Sequence, residues 1–309
     1  MNFSNNFIKK ILYRPFDIRY IYYDSNILGR SRESTLFPML CPNYGLIVMR
    51  QVYQNFEVYN HFNITRYLID ERTFYSNRGG TYIYPLFIYE KRLNEISKSN
   101  IQMEFDKENP EININRQFIK AIENKLSINY RDSISDLQSN QFNSFDILSY
   151  IYSILSSEAY RKRYKEFLKK DFPRIPITNN LTQFRQLCIL GKNLISTNLL
   201  ESLIVKEFIT TYPETGENRI EKGFPKYSLE KGEGRVFINS NQYFSGVPET
   251  IWSMNIGGYQ VLAKWLKDRR GRQLTYDDLT HYQKVVVALS ETIRITKEID
   301  KAIPEWPIK

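Results

Sequence analysis

From Thr275 onward the sequence forms one long amphipathic stripe, and its length limits how the rest of the chain can be arranged. Thr275-Tyr276-Asp277-Asp278 sets a hydroxyl three residues before an acid, as in a capping box, although Asp stands where Glu is usual. Leu279, Tyr282, Val286, Leu289 and Ile293 then step by threes and fours, which places them on one helical face. Continued to Ile303, such a helix is roughly 35–40 Å long. An apolar face of that length needs a partner helix. The expectation is an α+β protein whose helical half packs against something outside the chain.

The remaining pattern fits a strand-rich lobe over about residues 1–140 and a helical lobe over about 141–309. Asp17–Tyr23, Gly45–Met49 and Tyr82–Tyr89 are β-branched and aromatic and read as strands. Breaks fall at Ser25-Asn26, Pro42-Asn43 and Asn77-Arg78-Gly79-Gly80, and Asn94–Glu111 reads as a polar loop. Helices are predicted over Asp146–Leu155, through Tyr160, Tyr164, Phe167 and Leu168, and over Thr182–Leu200. The prolines of Phe172-Pro173-Arg174-Ile175-Pro176 end the second of these. Lys226–Leu229 and Arg235–Ile238 read as a hairpin around Gly232-Glu233-Gly234. No repeat of 20–50 residues is found.

Across 309 residues, 43 Lys and Arg face 34 Asp and Glu, so the net charge is +9. That excess favours a polyanion as partner. An anionic membrane is the weaker reading, because no uncharged apolar run approaches the ~20 residues of a spanning helix. The opening Met1-Asn2-Phe3-Ser4 is no signal peptide. Cys41 and Cys188 lie far apart and imply a reducing cytoplasm rather than a disulfide framework. With 23 Tyr and 19 Phe, aromatics reach 15%, which suits polar contact surfaces as well as cores.

Catalytic signatures are missing. There is no glycine-rich turn before a helix for a methyl donor, no Asn-Pro-Pro-aromatic loop, and no Walker-type phosphate loop. His61 and His281 have no metal-ligand neighbours and read as surface or packing residues. Glu111 with Glu123-Asn124-Lys125 echoes metal-dependent nuclease spacing. Yet Phe118, Ile119, Ile122 and Leu126 repeat helically around it, so a solvated helix face is favoured.

Four basic and aromatic groups are candidates for nucleic-acid contact. The first runs from Tyr13-Arg14-Pro15-Phe16-Asp17 through Arg19 to Arg30 and Arg32; in it Arg14 and Asp17 are read as an internal pair holding the turn. The second is Arg50-Gln51 at a strand end, with Arg66, Arg72 and Arg78 beyond; Arg and Gln there either reach base edges or are ordinary surface. The third, Arg161-Lys162-Arg163-Tyr164-Lys165 with Lys169 and Lys170, reads as a solvated helix face. The fourth joins Gly257-Gly258 to Lys264, Arg269 and Arg270, ahead of Gly271 as a helix-ending residue. Its glycines either hold a phosphate on exposed N–H groups or mark tight packing. The expected DNA-contacting set is Arg19, Arg30, Arg32, Arg50, Gln51, Arg66, Arg78, Lys264, Arg269 and Arg270.

The same segments resemble the C-terminal specificity region of Type ISP (single-chain Type I) restriction–modification enzymes and related adenine methyltransferases. The resemblance rests on Tyr13-Arg14-Pro15-Phe16-Asp17 with Arg19 and Tyr22-Tyr23, and on Phe172-Pro173-Arg174-Ile175-Pro176. It continues through Asn239 with Gln242-Tyr243-Phe244, Ile256–Val261, Lys264–Arg269, and Tyr276-Asp277-Asp278 before His281-Tyr282. Residues 34–140 match this pattern least. The resemblance implies the target-recognition part alone, binding duplex DNA in the bacterial cytoplasm beside a fused or separate methyltransferase, with no cofactor on this chain. It implies that S-adenosylmethionine, and ATP with Mg²⁺, belong to the other parts, and that the partner flips the target adenine. The long last helix and Gly257-Gly258 are expected to dock on the methyltransferase lobe. Rival readings are a metal-dependent nuclease and a protein-only scaffold.

Overall fold

Strand β1 (Ile8–Arg14) runs into Pro15, which removes a ladder donor, and the chain reverses through Phe16 at φ 61° into β2 (Asp17–Tyr22). The structure, a computed structural model, describes residues 4–24, 27–28, 32–52, 58–77, 79–89, 110–132 and 138–308. A short helix α1 (Glu33–Leu36) precedes β3 (Gly45–Met49), β4 (Phe62–Thr65), β5 (Leu68–Ile69) and β6 (Thr81–Pro85). These strands form two three-stranded sheets, β2-β1-β5 and the antiparallel β4-β3-β6. Gly45–Met49 is a strand as predicted, and its near-continuous apolar run follows from its central place. The predicted strand Tyr82–Tyr89 is divided at Leu86, because β7 (Phe87–Ile88) leaves the sheet to pair with β8 (Glu111–Ile112).

Helix α2 (Arg116–Leu126) leads to β9 (Asn129–Tyr130), which lies parallel to β10 (Gln141–Phe142). Asn143 and Asp146 then form a reciprocal capping box that starts α3 (Ser144–Ser156). The predicted second helix is two pieces, α4 (Glu158–Arg163) and α5 (Lys165–Leu168), interrupted at Tyr164. After the proline segment comes α6 (Leu181–Asn198). Strands β11 (Lys226–Glu230), β12 (Glu233–Phe237) and β13 (Tyr243–Ser245) make an antiparallel meander. Its first turn is Lys231-Gly232, both at positive φ, rather than Gly232–Gly234. Helix α7 (Glu249–Trp252), the small hairpin of β14 (Asn255–Ile256) and β15 (Tyr259–Gln260), and α8 (Val261–Lys267) complete this part.

The last helix, α9 (Tyr276–Ala302), has 27 residues and starts from the predicted box: Thr275 N donates to Asp278 Oδ2 at 3.0 Å, and Asp278 N donates to Thr275 Oγ1 at 3.2 Å. Its partner lies inside the chain, not outside it. Helix α9 and helix α3 both pack along α6. The physical reason is that α6 is apolar on several faces, with Phe184, Leu187 and Leu194 fully buried and Ile195 nearly so. The stretch Leu181–Lys206 is long and apolar enough to cross a membrane by length and composition alone. The packing covers part of its apolar surface and leaves Leu181, Ile189 and Leu203 exposed.

Two cores result, and they cut across the strand-rich and helical lobes. One gathers Leu12, Ile47, Ile64, Phe142, Tyr150, Phe184 and the distal α9 residues Ile295, Ile299 and Ile303. The other gathers Val236, Phe244, Leu262, Trp265, Tyr282, Val286 and Leu289, together with Phe16 from the tip of the first hairpin. Both cysteines are buried in the interior.

Candidate nucleic-acid interface

At the β1–β2 turn, Asp17 is 1% exposed and lies between two guanidinium groups. Arg19 reaches its Oδ2 at 2.8 Å and Arg269 its Oδ1 at 2.8 Å. Arg269 also stacks on Trp265 at 3.6 Å, while Asp268 pairs with both Lys264 and Arg19. Burial by itself would raise the Asp17 pKa, but the two guanidinium groups hold it below the usual carboxylate range. His281 completes the contact, its Nε2 2.8 Å from the Phe16 carbonyl oxygen and its ring stacked on Trp265. Burial lowers the His281 pKa. The predicted partnership of Arg14 with Asp17 is therefore corrected: the two residues pair in backbone register, but Arg14 bonds Asp70 at 2.9 Å. Arg19, Lys264 and Arg269 hold the hairpin tip in the second core.

The fourth group is structural as well. The Gly257 N–H donates to Asn60 O at 2.8 Å and its carbonyl accepts from Tyr75 N at 2.7 Å, so the Gly257 N–H is already engaged within the chain. A Cβ on Gly257 would fall 1.9 Å from the Phe74 ring, and one on Gly258 2.7 Å from Tyr75 O. The glycines mark close packing of the β14–β15 hairpin on the first lobe. Helix α8 ends at Lys267, so Gly271 is not its terminating residue; its N–H bonds Ile220 O instead. Arg270 is exposed and donates to Phe224 O.

In the third group, Arg161 departs from the predicted solvated face. It turns inward and donates to Ser157 O, Tyr59 O at 3.2 Å and Ser156 O at 3.1 Å, covering the carbonyl end of α3. Burial lowers its pKa. Lys162 and Lys169 are surface cations paired with Glu158 and Glu166. The nuclease echo dissolves: Glu123 lies on α2 and accepts from Tyr130 N at 2.8 Å, and Lys125 donates to Ile177 O. Among the described residues no group of His, Cys, Asp and Glu is arranged to hold a metal. Both histidines are packing residues; His61 is fully buried, with Nε2 2.9 Å from Tyr75 O.

Exposed members of the predicted contact set remain in the first lobe. Arg32 pairs with Glu71 at 3.2 Å on the rim of a cleft of about 480 Å³, whose walls include Ile11, Ile21, Ile69, Tyr82 and Ile83. Arg50 pairs with Asp171 at 3.0 Å, and Gln51 beside it is exposed. Arg66 is held by both Glu201 oxygens and by Tyr44 at 2.7 Å, and these contacts, the Glu201 hydrogen bond foremost, raise its pKa. Arg72 is exposed. Arg30 and Arg78 lie outside the described residues. Tyr82 and Tyr84 escaped notice as surface residues: alternation along β6 turns both outward at 45% and 44% exposure, while Ile83 between them is buried. The period of two in Tyr82-Ile83-Tyr84 was the signal available for them.

The family model for the Type ISP C-terminal specificity domain matches residues 1–298. The chain belongs to that family. No curated protein sequence matches this specificity domain. Its fold is shared with solved structures that include two Type ISP enzymes. The ATP-dependent restriction–modification enzyme LlaBIII bound to DNA gives a TM-score of 0.70 at 16% identity, over 100% of this chain and 19% of that one. A nuclease-deletion mutant of LlaGI with a DNA substrate mimic gives 0.65 at 20% identity, over 100% and 26%. The DrdV–DNA complex gives 0.67 at 20% identity, over 96% and 28%. The specificity domain thus spans 19% to 28% of these three chains, and the catalytic parts of the family's enzymes lie in their other regions.

Proposed function

We propose that this chain recognises a target sequence in duplex DNA for a DNA methyltransferase of the restriction–modification type. The observation that carries the reading is the family match over residues 1–298, joined to a whole-chain likeness in fold to enzymes solved on DNA. The +9 charge supports it. In this reading S-adenosylmethionine, and ATP with Mg²⁺, are bound by other parts of the enzyme. Base flipping and N6 methylation of adenine are likewise the partner's work, and the site of action is the bacterial cytoplasm. The contacting residues are Arg32, Arg50, Gln51, Arg66 and Arg270, with Arg30 and Arg78. Exposed ion pairs such as Arg50 with Asp171 are weak enough to exchange for phosphate.

The test joins the chain to its methylating half and measures affinity for random and selected duplexes across salt concentrations. Log affinity against log salt should fall with a slope of about −0.9 per phosphate contact, with affinities differing between sequences. Equal affinity for every sequence defeats the reading, and no salt dependence favours a protein-only scaffold.

A further inference from the structure

The outward face of β6 and the segment packed against it form a rigid aromatic and cationic surface. Phe172 meets Tyr82 edge-on at 5.1 Å and Tyr84 at 6.0 Å, and the Arg50 guanidinium lies 5.8 Å from the same ring. Val52 N donates to Lys169 O at 3.2 Å, tying the exit of β3 to this segment. Burial and the neighbouring Tyr82 raise the Tyr84 pKa while Arg50 opposes them, so the two hydroxyls and the guanidinium are within electrostatic reach of one another. Arg50 and Asp171 are 54% and 53% exposed, and Asp171 lies in the cation-rich segment Lys169-Lys170-Asp171-Phe172-Pro173-Arg174.

Resting on the DNA-recognition reading above, we propose that Tyr82, Tyr84, Phe172 and Arg50 form a duplex-contacting surface on which Arg50 exchanges Asp171 for a DNA phosphate. The chemistry favours DNA over protein. The exposed apolar groups are tyrosines with free-standing polar tips rather than aliphatic side chains, and the flanking charge is cationic. A protein-docking core is depleted in charge, whereas sugar and phosphate accept Arg, Lys and Tyr donors. Asp171 mimics the phosphate: in free protein it fixes the guanidinium over Phe172, so that less side-chain freedom is lost on binding.

Fluorescence anisotropy with labelled duplex, across salt concentrations on the full chain, separates the parts of this claim. Arg50→Gln, a surface change, should weaken binding roughly five- to tenfold and reduce the salt slope by about one. Asp171→Asn should tighten binding. Tyr82→Ala with Tyr84→Ala should weaken it with the slope unchanged, because no charge is lost, and circular dichroism should remain native. Arg294→Gln on α9, another exposed and paired arginine, should change nothing. If wild-type chain binds with a clear salt slope while Arg50→Gln keeps both affinity and slope, this surface is wrong and the broader reading survives. If wild-type chain shows no salt-dependent duplex binding, both fall.

Discussion

Asp17 shows how one carboxylate can set the position of a hairpin. With both oxygens on guanidinium groups and 1% exposure, its loss leaves Arg269 without its closest anion. Asp17→Ala should cost about 3–5 kcal/mol in urea unfolding. Because its folded pKa is depressed, this contribution is complete above the ordinary value of 3.8 and is lost as pH falls through the lower folded value. His61 acts in a different window. Burial pulls its pKa from 6.5 down to about 4, so between those values only the unfolded chain takes up the proton. Stability should be full above pH 6.5 and decline by about 3 kcal/mol toward pH 4. In His61→Gln that slope should flatten. What the arginines do was the least legible feature of the sequence. Arg66 finds Glu201 and Arg19 finds Asp268 across separations of 135 and 249 residues, and no local pattern encodes such a pairing.

Among the elements, those built from local chemistry were legible. The capping box at Thr275 and the steps of three and four along α9 depend on near neighbours only, and both are present. Its partner α6 was not legible as such, because covering a stripe is a matter of tertiary packing. The β11–β12 turn was misplaced by one residue: Lys231 adopts φ 51°, which the sequence alone would assign to glycine. Gly234 instead sits in the strand where a Cβ would strike Val247 O at 2.0 Å. The same distinction between turn and close packing makes Gly257 testable. Gly257→Ala meets both a positive φ and the Phe74 ring, and should lower stability by about 2–4 kcal/mol. Gly271→Ala, at φ 76° with nothing within 4 Å, carries the backbone strain alone and should cost about 1–2 kcal/mol. Equal shifts in Tm would show that the hairpin does not press on Phe74 as described.

At the scale of the molecule, two elements belong to both cores. The β1–β2 hairpin gives Leu12 to one and Phe16 to the other, and α9 gives Ile299 to one and Val286 to the other. Unfolding should therefore be one cooperative transition in which circular dichroism and tyrosine fluorescence coincide; two separated transitions would contradict this sharing. The shared α9 also constrains any attempt to retarget recognition by splicing relatives. A chimera joined near residue 140 would set one parent's hairpin tip, Phe16, against the other parent's His281 and second core, and would divide the first core between the two parents. A working graft must take its opening hairpin and its closing helix from the same parent.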